Sequence, residues 1–185
     1  MGITQQQQDS IVAHYELGLP DGQVARLAGV SLATVKRYRQ RLGLPTRDVK
    51  ARRGRFGERV VLERAQALGL AVEWRGHATA PYDLRIEGRR VDVKAASRGR
   101  NGGWRFRLGG VRSSFHSRYR YRKDYAADCE VVALVCLQGE DEPVAVYLLE
   151  SGTVPSNVQI YEGGEWEAHR EAWDSVLPRQ WPLAA

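Results

Sequence analysis

The chain has 185 residues, 43% of them hydrophobic and 27% charged, which suits one medium domain or a small module joined to a compact second domain. Its formal net charge is +6 and its isoelectric point about 9.6, so an anionic partner is expected, either nucleic acid or an acidic membrane surface. The start, Met1 to Gln8, lacks the apolar core of a signal peptide, and no apolar run is long enough to cross a bilayer; the expected setting is cytoplasmic, with no membrane partner.

Residues 1–44 read as a small all-α module. Gln5 to Leu17 carries Ile11, Val12 and Tyr15 on one side of a helix, which Gly18 and Pro20 interrupt. Asp21 can cap a second helix with Val24, Leu27 and Ala28 as its apolar positions. Gly29 makes a tight turn, and Ser31 caps a third helix with Leu32, Val35, Tyr38 and Leu42 on its inner face. The spacing of Ala25, Gly29, Val30 and Val35 resembles the helix-turn-helix of bacterial and phage DNA-binding proteins. That resemblance makes the third helix a recognition helix, with Thr34, Lys36, Arg37, Arg39 and Gln40 directed at base edges and phosphates. The alternative is a three-helix module that docks another protein or a second subunit.

Residues 45–56 read as a basic linker. Pro45 opens it, and Lys50, Arg52, Arg53 and Arg55 face only Asp48 as an acid. It is either a solvated tether or an arm along phosphates, with Arg52 and Arg53 as contacts.

Residues 57–185 read as a second domain. Gly57 to Leu68 is expected to be helical. Two short strands follow, Tyr82 to Ile86 and Arg90 to Ala95, joined by a turn at Glu87 to Arg89, and a third lies at Gly103 to Leu108. Val131 to Leu137 is almost wholly apolar and therefore central, Val144 to Leu149 is another strand, and Glu165 to Val176 has helical spacing of Trp166, Trp173 and Val176. This order implies an α/β sandwich with a mixed sheet. The two cysteines, Cys129 and Cys136, read as buried apolar side chains on opposite faces of one strand, and the scattered histidines offer no zinc spacing.

Strand parity singles out one cluster. Leu84 and Ile86 face one way, so Asp83 faces the other; Val91 and Val93 face the core, so Asp92 and Lys94 face away from it. An even-numbered hairpin loop puts Asp83 and Asp92 side by side. Two such carboxylates repel unless a cation lies between them, the arrangement that a hard divalent metal requires, and a neighbouring lysine can hold water or stabilise charge developing on a phosphate. Glu58 shares a helix face with Leu62, Ala65 and Leu68, where a carboxylate needs a reason. Its simpler reading is an acid complementing a helix N-terminus.

Gly57-Glu58, Pro81-Tyr82-Asp83 and Asp92-Val93-Lys94 together resemble the PD-(D/E)XK nuclease superfamily. Residues from about Phe56 to Pro155 follow the order of its homing-endonuclease-like branch, and the superfamily also holds Holliday-junction resolvases. The resemblance implies a restriction-endonuclease-like mixed sheet flanked by helices. It implies Asp83 and Asp92 as metal ligands, the Val93 carbonyl as a further ligand, Glu58 completing the site directly or through water, and Lys94 orienting or activating the water. Asp92 stands where Glu is commoner. Ligand hardness and availability point to Mg2+, with Mn2+ as substitute.

The stretch from Arg98 to Lys123 contains no acid and interleaves arginines with Trp104, Phe106, Phe115, Tyr119 and Tyr121. It is either a half-exposed sheet face with a loop or the DNA track, with Arg98, Arg100, Arg105, Arg107, Arg118 and Arg120 on phosphates and an aromatic side chain available as a wedge. The expected protein is a Mg2+-dependent DNA endonuclease of homing or restriction type acting as a homodimer on duplex DNA. The alternatives are a junction-resolvase-type nuclease acting on branched DNA and a non-catalytic DNA-binding protein.

Overall fold

A computed structural model describes residues 2–77, 80–113, 120–139 and 141–178. The chain forms two compact units, Met1–Arg52 and Arg53–Ala185. No helix among the described residues is long and apolar enough to cross a membrane.

The first unit holds α1 (Gln5–Glu16), α2 (Asp21–Leu27) and α3 (Leu32–Arg41). Thr4 and Gln7 close a reciprocal capping box on α1, and the Ser31 hydroxyl accepts the Thr34 N–H at the start of α3. Gly29 takes φ 63° between α2 and α3, a conformation that costs glycine nothing. Ile11, Val24, Ala25, Ala28 and Val35 form the core, with Tyr38 packed against it. Leu27, Leu32 and Leu42, expected to point inward, are exposed instead. The three helices are short, so Val24, Val35 and Ile11 already fill the space between them.

Arg39 also departs from expectation. It is buried, and its guanidinium donates to both Asp21 oxygens (3.1 and 3.2 Å) and to the Leu44 carbonyl (2.6 Å). Arg39 is therefore a structural clamp between α3 and the start of α2, its side chain buried where it was expected to face outward.

The 45–56 segment, inside which the two units divide, is helical over much of its length. α4 (Val49–Ala67) is one helix that begins inside it, with Asp48 accepting the N–H groups of Lys50 and Ala51 as a cap. The expected start at Gly57 underestimated the helix because glycine was taken as a boundary. Arg52 and Arg53 are thus helical rather than parts of an extended arm, and Arg53 is half-buried.

The second unit is built on a mixed five-stranded sheet in the order β1-β2-β3-β7-β8. Its strands are β1 (Val72–Trp74), β2 (Leu84–Ile86), β3 (Arg89–Ser97), β7 (Val131–Gln138) and β8 (Glu142–Glu150); only the β3–β7 pairing is parallel. Alternation along these strands divides the core into two layers. Leu84, Val91, Val93, Val131, Ala133, Val135, Val146 and Leu148 meet α4 through Val60, Val61 and Ala65. Ala96, Val132, Leu134, Cys136, Tyr147 and Leu149 meet Trp104, Phe106, Val158 and Ile160 on the other face. That second face is covered by the two-stranded sheet of β4 (Trp104–Arg107) and β9 (Asn157–Ile160), with α5 (Tyr125–Asp128) beside it. A third ribbon pairs β5 (Val111–Ser113) with β6 (Arg120–Arg122).

Cys129 and Cys136 are both buried and free, but they share the second layer. Cys129 precedes β7, so strand parity does not run through it. The C-terminal helix expected at Glu165 to Val176 is instead a pair of short 3-10 turns, Glu167–His169 and Trp173–Val176. Glu171 separates them at φ 50°, and its N–H donates to the Val146 carbonyl (2.7 Å) at the outer edge of β8. Its carboxylate accepts the Val146 and Trp173 Nε1 hydrogens and pairs with Arg64. Binding this edge prevented a continuous helix and closed an open strand.

Candidate active site

Glu87 and Gly88 alone connect β2 to β3, and both have positive φ, 48° and 80°. This two-residue turn matches the twist of the strands. Glu87 is held in the costly conformation by exchanging hydrogen bonds with Ala71: its N–H donates to the Ala71 carbonyl (2.9 Å) and its carboxylate accepts the Ala71 N–H (2.6 Å). The turn sets the register Leu84↔Val91, and the Asp83 N–H continues it by donating to the Val91 carbonyl (3.0 Å). Asp83 therefore stands opposite Asp92, as parity predicts.

The two carboxylates have different partners. Asp83 accepts the Val93 N–H (2.9 Å) and pairs with Arg75 (3.0 Å). Burial, followed by repulsion from Asp92, raises its pKa despite the Val93 bond and the nearby Lys94 and Arg75 charges. Asp92 is buried, with Lys94 on one oxygen and Lys123 on the other. Lys94 also donates to the Val93 carbonyl (3.1 Å). Burial alone would lower the Lys94 pKa, but the combined pull of Asp92, Tyr125 and Asp83, with the hydrogen bond to Asp92, outweighs it and the net shift is upward. Lys94 is thus a firmly protonated donor in this state. Lys123 shifts the other way: burial and the Lys94 charge lower its pKa against the pull of Asp92. The Tyr125 ring lies 6.0 Å from Lys94 and 4.5 Å from Lys123, and burial pushes its hydroxyl up to about 12, so it is a neutral phenol.

Glu58 approaches from the other layer. It is half-buried on α4, and burial, then the Asp83 charge, raises its pKa, while Arg75, Lys94 and Arg55 oppose the shift. Its approach depends on Gly57. A Cβ at Gly57 would lie 2.7 Å from the Ala95 Cβ and 3.7 Å from Val135, so only glycine lets α4 descend onto β3 and β7 at that point. Neither Cβ can rotate away. Gly57→Ala is expected to be destabilising by about 1–2 kcal/mol, overpacking exceeding the gain in helix propensity. A thermal melt checks this, and a wild-type melting temperature would mean that helix and sheet separate there without cost.

Glu58, Asp83 and Asp92 do not form one three-carboxylate cluster. Among the described residues, no group of three His, Cys, Asp or Glu stands close enough to hold a metal. Ion pairing draws Asp83 toward Arg75 and Asp92 toward the two lysines. The donor set still fits Mg2+ in kind, because that ion is commonly held by one or two carboxylates with water and substrate phosphate completing its shell. The repulsion that raises Asp83 is what such a cation relieves.

Arg75 and Lys123 were not identified as site residues from sequence. Arg75 belongs to no recognisable motif. Lys123 did carry a signal: only four of the 28 basic residues are lysine, and two of those four meet at Asp92. In a chain this rich in arginine, a lysine marks a place where a compact ammonium is needed.

The expected DNA-facing residues divide. Lys36, Arg37 and Gln40 are exposed on α3. Thr34 is half-buried, shares a hydrogen bond with Ser31 (2.8 Å), and lines a cleft of about 350 Å³ with Arg37, Tyr38 and Arg41. Arg52 and Arg100 are exposed. Arg105 and Arg107 are exposed on β4, alternating with buried Trp104 and Phe106. Those two aromatics are core, not wedges, and Trp104 Nε1 donates to the Leu137 carbonyl (2.8 Å). Arg98 stacks 4.9 Å from Trp104 and pairs with Glu162 (2.9 Å). Arg120 lies in β6, while Phe115, Arg118 and Tyr119 lie outside the described residues.

No protein-family model matches the sequence, and no curated protein matches it. The fold is similar to the solved structure of a bacterial homing endonuclease, with a TM-score of 0.54 and 19% sequence identity over 68% of this chain and 90% of that one. At that identity the likeness is one of fold: the chain has a mixed α/β, endonuclease-like architecture.

Proposed function

We propose that the protein is a metal-dependent DNA endonuclease of the PD-(D/E)XK type that hydrolyses phosphodiester bonds. One observation carries the reading: Asp83 and Asp92 oppose each other on a hairpin with Lys94 on the same face. The endonuclease-like fold supports it. Asp83, Asp92 and the Val93 carbonyl would hold Mg2+, or Mn2+ in its place, with Glu58 acting directly or through water. The bound cation would supply Lewis-acid stabilisation of charge on the phosphate.

The protein's own groups account for the rest. Lys94, paired with Asp92 and beside the Val93 carbonyl, would orient water or donate to a phosphate oxygen. Arg75 fixes Asp83 from one side while the Val93 N–H fixes it from the other. Lys36, Arg37 and Gln40 on α3 would direct the enzyme to its site as part of a helix-turn-helix, and the exposed Arg105 and Arg107 on β4 would bind phosphates. Double-strand cutting would use a homodimer.

The test is cleavage of supercoiled plasmid and of a synthetic four-way junction by the full chain. Cutting in Mg2+ or Mn2+ that EDTA stops is the expected result. Plasmid cutting supports the homing- or restriction-like reading, and cutting confined to the junction replaces it with a resolvase. No cutting of either substrate, with no metal binding by a folded protein, would leave a DNA-binding protein.

A further inference from the structure

Lys123 directly follows β6 and reaches Asp92 across 31 positions of sequence. Its side chain is 14% exposed, so little water can replace the carboxylate as its partner. Asp92 already has Lys94 on its other oxygen, so the second ammonium is not needed to neutralise it. Around the acidic pair, the carboxylates of Glu58, Asp83 and Asp92 are already accompanied by the cations Arg55, Arg75, Lys94 and Lys123. A divalent ion would add to the positive charge there, and a bound phosphate would offset it.

Of these cations, Lys123 alone lines a cleft of about 540 Å³, with Arg122, Asp124, Tyr125, Ser151 and Ser156 among its other walls. The Tyr125 face sits under the ammonium, 4.5 Å away, and can accompany it whichever anion it binds. Lys123 thus stands between two alternative partners, the Asp92 carboxylate and whatever anion enters the cleft.

We propose that Lys123 is a phosphate-binding residue held in reserve by Asp92. It occupies one Asp92 oxygen in the free protein and exchanges that partner for a backbone phosphate of a nucleic-acid strand in the cleft, leaving Asp92 to the cation. This rests on the reading of Asp83 and Asp92 as a metal-holding pair. It also makes metal loading and DNA binding mutually supportive, because each removes the obstacle to the other.

The test titrates the full chain with manganese chloride in a calorimeter without DNA, using wild type, Lys123→Met and Lys123→Gln. Methionine preserves the apolar stem, glutamine keeps a polar end, and a thermal melt verifies that each variant is folded. Both are expected to bind Mn2+ about tenfold more tightly, since no ammonium competes for Asp92. In manganese, each should also bind a fluorescent duplex oligonucleotide with a salt dependence shallower by about 0.9, the loss of one phosphate contact. Unchanged manganese affinity in both folded variants overturns the proposal while leaving the metal pair intact. Tighter metal binding with an unchanged salt slope overturns the phosphate exchange. No manganese binding by any of the three removes the metal pair and the proposal together.

Discussion

Asp92→Asn is expected to cut DNA at least about a thousandfold more slowly than wild type, equivalent to roughly 4 kcal/mol of lost transition-state stabilisation. The amide keeps the shape of the side chain but cannot bring negative charge to a cation. DNA affinity should fall little, because Asp92 is an acid and contributes nothing attractive to phosphate. Asparagine is the informative substitution, since alanine would also leave a void beside Val132 in the second core layer. Even asparagine leaves two ammonium groups without their counter-charge. Removing one partner from a fully buried pair costs about 3–5 kcal/mol. Lys94 is 33% exposed and can turn partly to water, whereas Lys123, at 14%, has little access to it, and a loss of about 2–4 kcal/mol is expected. A melt therefore accompanies the plasmid assay. Lys94→Met should lose cutting to a similar extent while still binding Mn2+, since it removes a donor to the phosphate and not a metal ligand. Wild-type cutting by either folded variant would place the chemistry elsewhere.

The hairpin that places Asp83 against Asp92 was legible because it is local. Strand alternation has a period of two, so facing follows from counting once the loop is even; the expected turn, Glu87 to Arg89, was one residue too long, and the structure supplies the even one, Glu87-Gly88. The same argument identified Lys94, while an almost unbroken apolar run marked β7 as an interior strand. It failed wherever a residue's partner is distant in sequence. β4 was recognised as a strand, but its partner β9 lies beyond β7 and β8, and no periodicity within β4 reveals that it joins a separate sheet. The exposed arginines and buried aromatics of β4 could be read as a DNA-binding stripe with a wedge. The structure leaves Arg105 and Arg107 exposed and assigns Trp104 and Phe106 to the core.

The C-terminal segment shows the same limit. Trp173 and Val176 do pack inward, so the apolar spacing was informative. The helix it suggested gives way to hydrogen bonds that Glu171 makes with the edge of β8, a tertiary gain that outweighs local propensity. Around the active site, Arg75 and Lys123 were invisible to strand parity because each reaches its carboxylate from another element. Only the scarcity of lysine pointed to Lys123.

Arg39 and Arg37 on α3 allow the sharpest separation of fold from recognition. Arg39→Ala is expected to destabilise the first unit by about 3–5 kcal/mol, because it leaves Asp21 without its bidentate partner and the Leu44 carbonyl without its donor. At about 0.05–0.15 kcal/mol per residue, a unit of this size holds roughly 3–8 kcal/mol in all. The loss is therefore comparable with the whole, and DNA binding should fail because the unit melts. Arg37→Ala should leave the melt unchanged and weaken DNA binding, with a salt slope shallower by about 0.9. Both failures look alike in a binding assay alone, so circular dichroism melts of the full chain must run beside it. The double replacement Asp21→Leu with Arg39→Met removes the ion pair without orphaning either charge, and most of the stability should return. DNA affinity should return with it if Arg39 only clamps α3 to α2. A stable double variant that binds DNA as poorly as Arg37→Ala would instead make Arg39 a phosphate contact released from Asp21 on binding, the role that its helical position first suggested.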